Sequence, residues 1–299
     1  METFVPATIK ELEILEPGEL CRVCLSLPTH VDVNGKSFSL QDHMRPGTAF
    51  LLKPRGARTQ KYRRRMYTRS NVAKVEPGLL ETFINHTHGE LSDTSVWWQS
   101  EEAHSWYQQG IPLDVRIQLN SEQGLATVYE NTSVCKPSNL RLEDDGKWES
   151  MPMVCVGFGT GVTPFLSYVR YWVLHRSQKG GRGKVSPLTL IVSARNFSQL
   201  MCHDELLEVQ RKFRGEFFYY PALTRHWSAQ WEGARGRIIT VHQDSSGNER
   251  IVLSNLFAFS PDLAQSHLRL CGNKQACSQI VTGLDQASVV PLSIRSESW

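Results

Sequence analysis

Three glycines at alternate positions, Gly157, Gly159 and Gly161, end an apolar run that begins at Met153, and Val162-Thr163-Pro164-Phe165 follows them. An apolar run that stops at glycines and resumes with helical spacing reads as a strand, a tight turn and a helix start, and the helix is expected through residues 165–174. Glycines carry no side chain to keep a ligand off the backbone, and the first amides of a helix point at an anion. The chemistry on offer is phosphate or pyrophosphate binding. The spacing is Gly-x-Gly-x-Gly, not the Gly-x-Gly-x-x-Gly of the common dinucleotide turn, and no phosphate-gripping Lys follows. Taken alone, this stretch suits a nucleotide site and an unliganded strand-to-helix turn equally.

The elements that must position such a turn fall into two patterns. Up to about residue 148 the chain shows short apolar or β-branched runs at 20–27, 49–52, 65–72, 79–87, 113–119 and 125–131, broken by Pro, Gly, Asn and Asp, as in an antiparallel barrel or sandwich. Beyond it, strands expected at 153–157, 188–194, 216–222, 267–271 and 289–294 alternate with helical stretches at 199–213 and 274–287. That alternation is the mark of an open parallel α/β sheet. The polar segment 141–147 reads as the linker, so the domains are expected over residues 1–148 and 149–299.

Further motifs occur in a fixed order. Arg65-Met66-Tyr67-Thr68 comes first, the strand Glu81-Thr82-Phe83-Ile84-Asn85-His86 second, Gly89-Glu90-Leu91-Ser92 third, and Leu270-Cys271-Gly272-Asn273 follows the glycine turn. A β-rich half with R-x-Y-T ahead of an α/β half that opens on GFGTGVTP resembles the ferredoxin–NADP reductase family of flavoproteins, in its bacterial-like, FAD-containing form. The resemblance implies an FAD-binding antiparallel β-barrel followed by an NADP(H)-binding α/β domain with an open parallel sheet. It implies that Tyr67 lies against the isoalloxazine, that the Thr68 hydroxyl reaches flavin N5, and that Arg65, by the register of the motif, meets the FAD pyrophosphate, with its neighbours Arg63 and Arg64 as the alternatives. Phe83, Ile84 and Asn85, with Gly89, Glu90, Leu91 and Ser92 and with Thr160, complete the expected FAD contacts.

For the nicotinamide coenzyme the resemblance points to Gly159, Thr160, Gly161, Cys271, Gly272 and Asn273. It adds Arg195, Thr224, Arg225 and Arg237 around a 2′-phosphate. Three guanidiniums suit a phosphate dianion, whereas a ribose diol calls for a carboxylate near the end of the second strand, so NADPH is expected over NADH. Trp299 is expected to cover the flavin face that nicotinamide must occupy, and Glu297 to deliver a proton. Thr68, Cys271, Glu297 and Trp299 are thus the candidate catalytic residues. Arg69 departs from the family pattern, since many relatives place a small or apolar residue there. The stretch Ser70-Asn71-Val72-Ala73 lacks the usual Ser-Pro turn, and Trp97-Trp98 has no evident function beyond packing.

Composition narrows the setting. A formal charge of +3 and a pI near 8.5 argue against a dedicated nucleic-acid binder. No apolar run is long enough to cross a bilayer and the first residues do not look like a signal peptide, so a cytoplasmic protein without integral membrane association is expected. Seven Cys, an odd number, read as reduced thiols. Cys21 and Cys24 form a lone C-x-x-C, which falls short of a metal or iron–sulfur ligand set. The cations Lys53, Arg55, Arg58, Lys61, Arg63, Arg64 and Arg65 would steer an acidic ferredoxin or flavodoxin to a monomeric reductase. Two rival readings are a ferric-chelate or siderophore reductase on the same flavin domain and a redox sensor that binds flavin without turnover.

Overall fold

The computed structural model describes residues 2–86, 93–128, 140–142, 151–178, 186–243 and 249–298. The chain divides into two compact units, Met1–Leu142 and Glu143–Trp299. The boundary expected near residue 148 lies outside the described residues.

The first unit opens with β1 (Glu2–Glu16), in which buried Val5, Ala7 and Ile9 alternate with exposed Pro6, Thr8 and Lys10, the period of a strand with one face in a core. It continues through β2 (Leu20–Ser26), β3 (His30–Val33), β4 (Lys36–Gln41), β5 (Ala49–Leu52), β6 (Arg65–Thr68) and β7 (Leu79–Asn85). Helices α1 (Asp93–Trp97) and α2 (Glu101–Gln109) and strands β8 (Leu113–Asn120) and β9 (Leu125–Val128) follow. The strands form one nine-stranded sheet in the order β3-β4-β9-β8-β1-β2-β7, with β5 paired to β6 and to β8. All pairs are antiparallel except β4 with β9. The first half of β1 pairs with β8 (Glu2 opposite Gln118, Ala7 opposite Leu113) and its second half with β2 (Thr8 opposite Ser26), so this one strand serves both parts of a curled sheet. Val23, Leu25, Phe50, Leu52, Leu80, Val115 and Ile117 fill the interior.

Where the run-and-break pattern suggests strands and turns alone, residues 93–109 form two short helices. Ser100 caps α2 by accepting the Ala103 amide at 3.2 Å, and Gly110 ends it in the left-handed region at φ 65°.

The second unit runs β10 (Met153–Phe158), a 3₁₀ turn over Gly159–Val162, α3 (Thr163–Gln178), β11 (Leu188–Ala194), α4 (His203–Lys212), β12 (Phe217–Leu223), β13 (Ala234–Arg235), β14 (Thr240–Gln243), β15 (Glu249–Val252), α5 (Ser254–Phe259), β16 (His267–Gly272), α6 (Lys274–Gln286) and β17 (Ser293–Ser298). Its main sheet is parallel, in the order β13-β12-β11-β10-β16-β17. The near-continuous burial of β10 and β11 is what a strand covered on both faces requires. Val154, Val156, Ile191, Leu268 and Leu270 pack with Ile280 and Leu284 of α6.

Two expected boundaries move. The helix expected over 199–213 starts only at His203, because Cys202 holds a left-handed φ of 55°. The final strand occupies Ser293–Ser298, not 289–294, and Val290 and Leu292 are exposed ahead of it. It is an edge strand, and an edge needs no apolar run.

Candidate functional site

In the first unit the R-x-Y-T motif is strand β6 itself, held antiparallel to β5 with Phe50 opposite Tyr67 and Ala49 opposite Thr68. Residues two apart on a strand share a face, so Arg65 and Tyr67 project together. The Arg65 Nε donates to Thr94 Oγ1 at 3.1 Å and its Nη1 to the Arg64 carbonyl at 3.2 Å; Nη2 makes no contact among the described residues. The half-buried Tyr67 accepts a hydrogen bond from Trp98 Nε1 at 3.0 Å, and burial pushes its phenol well above the usual range. The Thr68 hydroxyl, half-buried, has no partner among the described residues.

Arg69, the departure from the family pattern, is a core residue, only 1% exposed. It pairs with Asp42 at 2.7 Å and donates to Asn71 Oδ1 at 2.8 Å and to the Leu79 carbonyl at 2.5 Å. Asn71 Oδ1 accepts the Glu81 amide at 3.0 Å, and Ser70 Oγ donates to Glu81 Oε1 at 2.6 Å. This network does the work of the missing Ser-Pro turn: it fixes the chain leaving β6 against β7. On β7, Ile84 packs into the interior, while Phe83 and Asn85 lie on the opposite face with Glu81. Any contribution of Ile84 to a ligand is therefore from its backbone. Gly89, Glu90, Leu91 and Ser92 lie outside the described residues.

The cluster of cations is less uniform than the sequence suggests. Arg55 pairs with Glu102, Lys53 with Asp114 at 3.3 Å, and Arg58 reaches Asp93 at 3.8 Å. Lys61, Arg63 and Arg64 remain exposed. Cys21 and Cys24 are buried in β2, where desolvation pushes their thiols up to about 12 and about 11, the reverse of what a metal thiolate needs. Among the described residues no group of three or more His, Cys, Asp or Glu is arranged to hold a metal ion.

In the second unit the glycine turn sits between β10 and β16, where the strand order reverses and open α/β sheets place their ligands. A Cβ on Gly161 would fall 2.2 Å from the Cys271 carbonyl oxygen, and one on Gly157 would fall 2.8 Å from Val162 Cα. The turn and the C-G-N segment thus touch, and only glycine allows it. Gly272 has φ 121°, open to glycine alone, and lies against the Phe158 carbonyl. Gly159 is left-handed at φ 55° with open space around it. The half-buried Thr160 presents its carbonyl to the Thr163 hydroxyl at 2.7 Å.

Asn273 caps α6 by accepting the Ala276 amide at 3.0 Å. Cys271 is fully buried, and desolvation, with the Glu297 charge adding to it, holds its thiol well above the usual range. The shifted register of β17 sets Glu297 opposite Cys271, so two expected catalytic residues are neighbours across a parallel pair. Trp299 lies outside the described residues.

The arginine group assembles at the ends of β11 and β12. The Arg225 and His226 amides both donate to the Arg195 carbonyl at 3.0 Å, and the Thr224 amide and hydroxyl donate to the Ala194 carbonyl at 2.9 and 3.0 Å. The Gly236 amide, just before Arg237, donates to the Leu223 carbonyl at 2.8 Å. Arg195, Arg225 and Arg237 are all exposed. The sequence reading missed the rings beside them: His203 lies between Phe197, with centroids 5.2 Å apart, and Trp231 at 5.8 Å, and its Nδ1 is 3.1 Å from the Tyr219 hydroxyl. Desolvation lowers the His203 pKa, which favours the neutral ring in this apolar setting.

Residues 153–280 match the family model of the oxidoreductase NAD-binding domain. Over 108 residues the chain is 33% identical to NADPH–cytochrome P450 reductase of Saccharomyces cerevisiae, a match that spans 35% of this chain and 15% of that protein. A cytochrome P450 reductase from Amycolatopsis superposes with a TM-score of 0.67 at 16% identity, covering 99% of this chain and 70% of that one. A flavohemoglobin from Malassezia yamatoensis, with bound FAD and heme, gives 0.65 at 16% identity over 99% of this chain and 60% of its own. A ferredoxin NADP+ reductase from Neisseria gonorrhoeae, with bound FAD and NADP, gives 0.58 at 17% identity over 99% of this chain and 98% of its own. The chain has the two-domain fold of the ferredoxin–NADP reductase family, a curled antiparallel sheet followed by a parallel sheet with helices. Its second unit carries the region that matches the oxidoreductase NAD-binding domain. Among the described residues no helix is long and apolar enough to cross a membrane.

Proposed function

We propose that the chain is an FAD-dependent NADPH oxidoreductase that delivers electrons to a one-electron carrier such as ferredoxin or flavodoxin. The observation that carries this reading is the close backbone approach of the Gly161 turn to Cys271-Gly272 at the strand-order reversal, an approach that a single Cβ would block. Arg65, with Nη2 unengaged among the described residues, would meet the FAD pyrophosphate; Tyr67 would lie along the isoalloxazine and Thr68 would offer its unpartnered hydroxyl to N5. FAD held by these residues would supply the conversion between two-electron hydride transfer and single-electron transfer.

The protein's own part is positioning and exclusion. Gly159, with open space where a side chain would stand, admits the coenzyme pyrophosphate to backbone amides, Gly161 lets the turn close on Cys271-Gly272, Arg195, Arg225 and Arg237 grip the 2′-phosphate, and buried Cys271 keeps water from the reacting carbon. Glu297, opposite Cys271, is the residue through which a proton would pass. Transfer to a haem protein is a second reading of the acceptor, favoured by the likeness to two cytochrome P450 reductases.

Purified protein should be yellow, bind FAD without a covalent bond, and be bleached by NADPH under anaerobic conditions, all followed by absorption spectroscopy. A colourless protein that takes up no FAD defeats the reading. Reduction of ferredoxin, flavodoxin, a cytochrome and a ferric chelate, compared side by side after NADPH, assigns the acceptor, and no NADPH oxidation with any of them would leave a flavin-binding sensor.

A further inference from the structure

The Trp97-Trp98 pair, unexplained by the motifs, has a place in the geometry. Both indoles are fully buried and meet edge to face, with centroids 5.0 Å apart at 69°. Trp98 donates to the Tyr67 hydroxyl at 3.0 Å and meets its ring nearly at right angles, with centroids 6.2 Å apart at 88°. Trp97 donates to Glu102 Oε2 at 2.9 Å, and the other Glu102 oxygen takes Arg55. Trp106 closes the far side of Trp97 at 5.2 Å. Neither buried indole N–H is left unpaired, so each ring has one orientation.

The spacing of these contacts is regular. Thr94 and Trp98 are one helical turn apart and share a face, just as Arg65 and Tyr67 share a face of β6. Thr94 takes Arg65, and Trp98 takes Tyr67.

We infer that Thr94 and Trp98 are positioning residues, a two-point clamp on α1 and its end that aims the Arg65 guanidinium and the Tyr67 ring at the flavin nucleotide. The clamp acts through Arg65 and Tyr67 and itself touches no ligand. It rests on the reading of β6 as the flavin strand. The ring face of Tyr67 is useful only if the ring cannot swing about its Cα–Cβ bond, and a half-buried tyrosine on a short strand is held there by what grips its far end.

The test uses the full chain with Trp98→Phe, Tyr67→Phe and the double variant, and Thr94→Val as a near-isosteric change at the second point. Losing one such hydrogen bond should raise the FAD dissociation constant about five-fold. The double variant should lose no more than either single variant, because both remove the same bond. Fluorescence of the bound flavin should rise in Trp98→Phe, as the phenol ring leaves its quenching position, a signature that a packing defect alone would not produce.

Additive losses, or parent-like FAD affinity and flavin fluorescence in both Trp98→Phe and Thr94→Val, would overturn the clamp while leaving the flavin reading intact. If Trp98→Phe does not fold, Thr94→Val decides by the same two measurements. A parent protein that binds no FAD would overturn both.

Discussion

In the proposed 2′-phosphate site, Arg195 and Arg225 are joined through the backbone. Their side chains are exposed, but the Arg225 amide is tied to the Arg195 carbonyl, so the two guanidiniums leave one rigid corner. A charge-assisted bond to the 2′-phosphate contributes roughly 1.5–3 kcal/mol, so Arg225→Ala should raise the Michaelis constant for NADPH roughly ten-fold or more and spare that for NADH. Equal losses with both coenzymes would set Arg225 away from the phosphate. Asp42 and Arg69 are the opposite kind of pair, buried and bound to the backbone around them. Removing one partner strands the other charge, so Asp42→Ala should lower unfolding free energy by about 3–5 kcal/mol in denaturant titration. In the sequence Arg69 looks like a variation within a cofactor motif; its true role depends on Asp42, twenty-seven positions earlier, which no local pattern announces.

At the scale of elements, Asp93 joins α1 to the loop ahead of β6. It accepts the Thr59 hydroxyl at 2.6 Å and the Arg58 amide at 2.7 Å, and a Cβ on Gly56 would fall 2.2 Å from its carboxylate. The Thr59 hydroxyl first, and the Arg58 amide next, hold its carboxyl below the ordinary value of 3.8. A carboxyl with a depressed folded-state pKa stabilises fully above its unfolded value and loses that contribution as pH falls below it. Asp93→Asn should therefore unfold at a lower temperature than the parent at neutral pH, and the gap should narrow as pH drops below 3.8, read from thermal melts across pH.

The α/β half was legible because buried parallel strands are continuous apolar runs and helices announce themselves by period. The first half was legible only in part. The Asn34-Gly35 turn, with φ of 52° and 75°, joins β3 to β4 with Val33 opposite Lys36, and that dipeptide is a strong hairpin signal that a search for apolar runs passes over. Ser100, with Glu101 and Glu102 after it and Gly110 at the end, likewise marks α2 by its caps and not by its apolar content. Strand β17 is polar because it is an edge, and so its position slipped by four residues.

For the molecule as a whole, surface charge bears on the proposed acceptor. Lys61, Arg63 and Arg64 are exposed members of a larger group of cations in which Arg55, Lys53 and Arg65 are engaged with Glu102, Asp114 and Thr94, while Arg58, also exposed, only approaches Asp93 at 3.8 Å. A negatively charged carrier drawn to Lys61, Arg63 and Arg64 should be reduced at a rate that falls with ionic strength, and a Lys61→Glu/Arg63→Glu/Arg64→Glu variant should lose both the rate and its salt dependence. Stopped-flow reduction at several salt concentrations measures this, and a parent-like salt slope in the variant would remove these residues from the encounter.

The long first strand sets a different kind of limit. Among the described residues its leading half pairs with β8, with Glu2 opposite Gln118, while its trailing half pairs with its near neighbour β2. During synthesis the hairpin of β1 and β2 can form early, but the leading half must wait until nearly the whole unit has been made, and closing so long a loop is slow. A ribosome stalled before residue 113 would therefore carry a nascent chain with the Val5 and Ala7 edge unpaired and open to other strands.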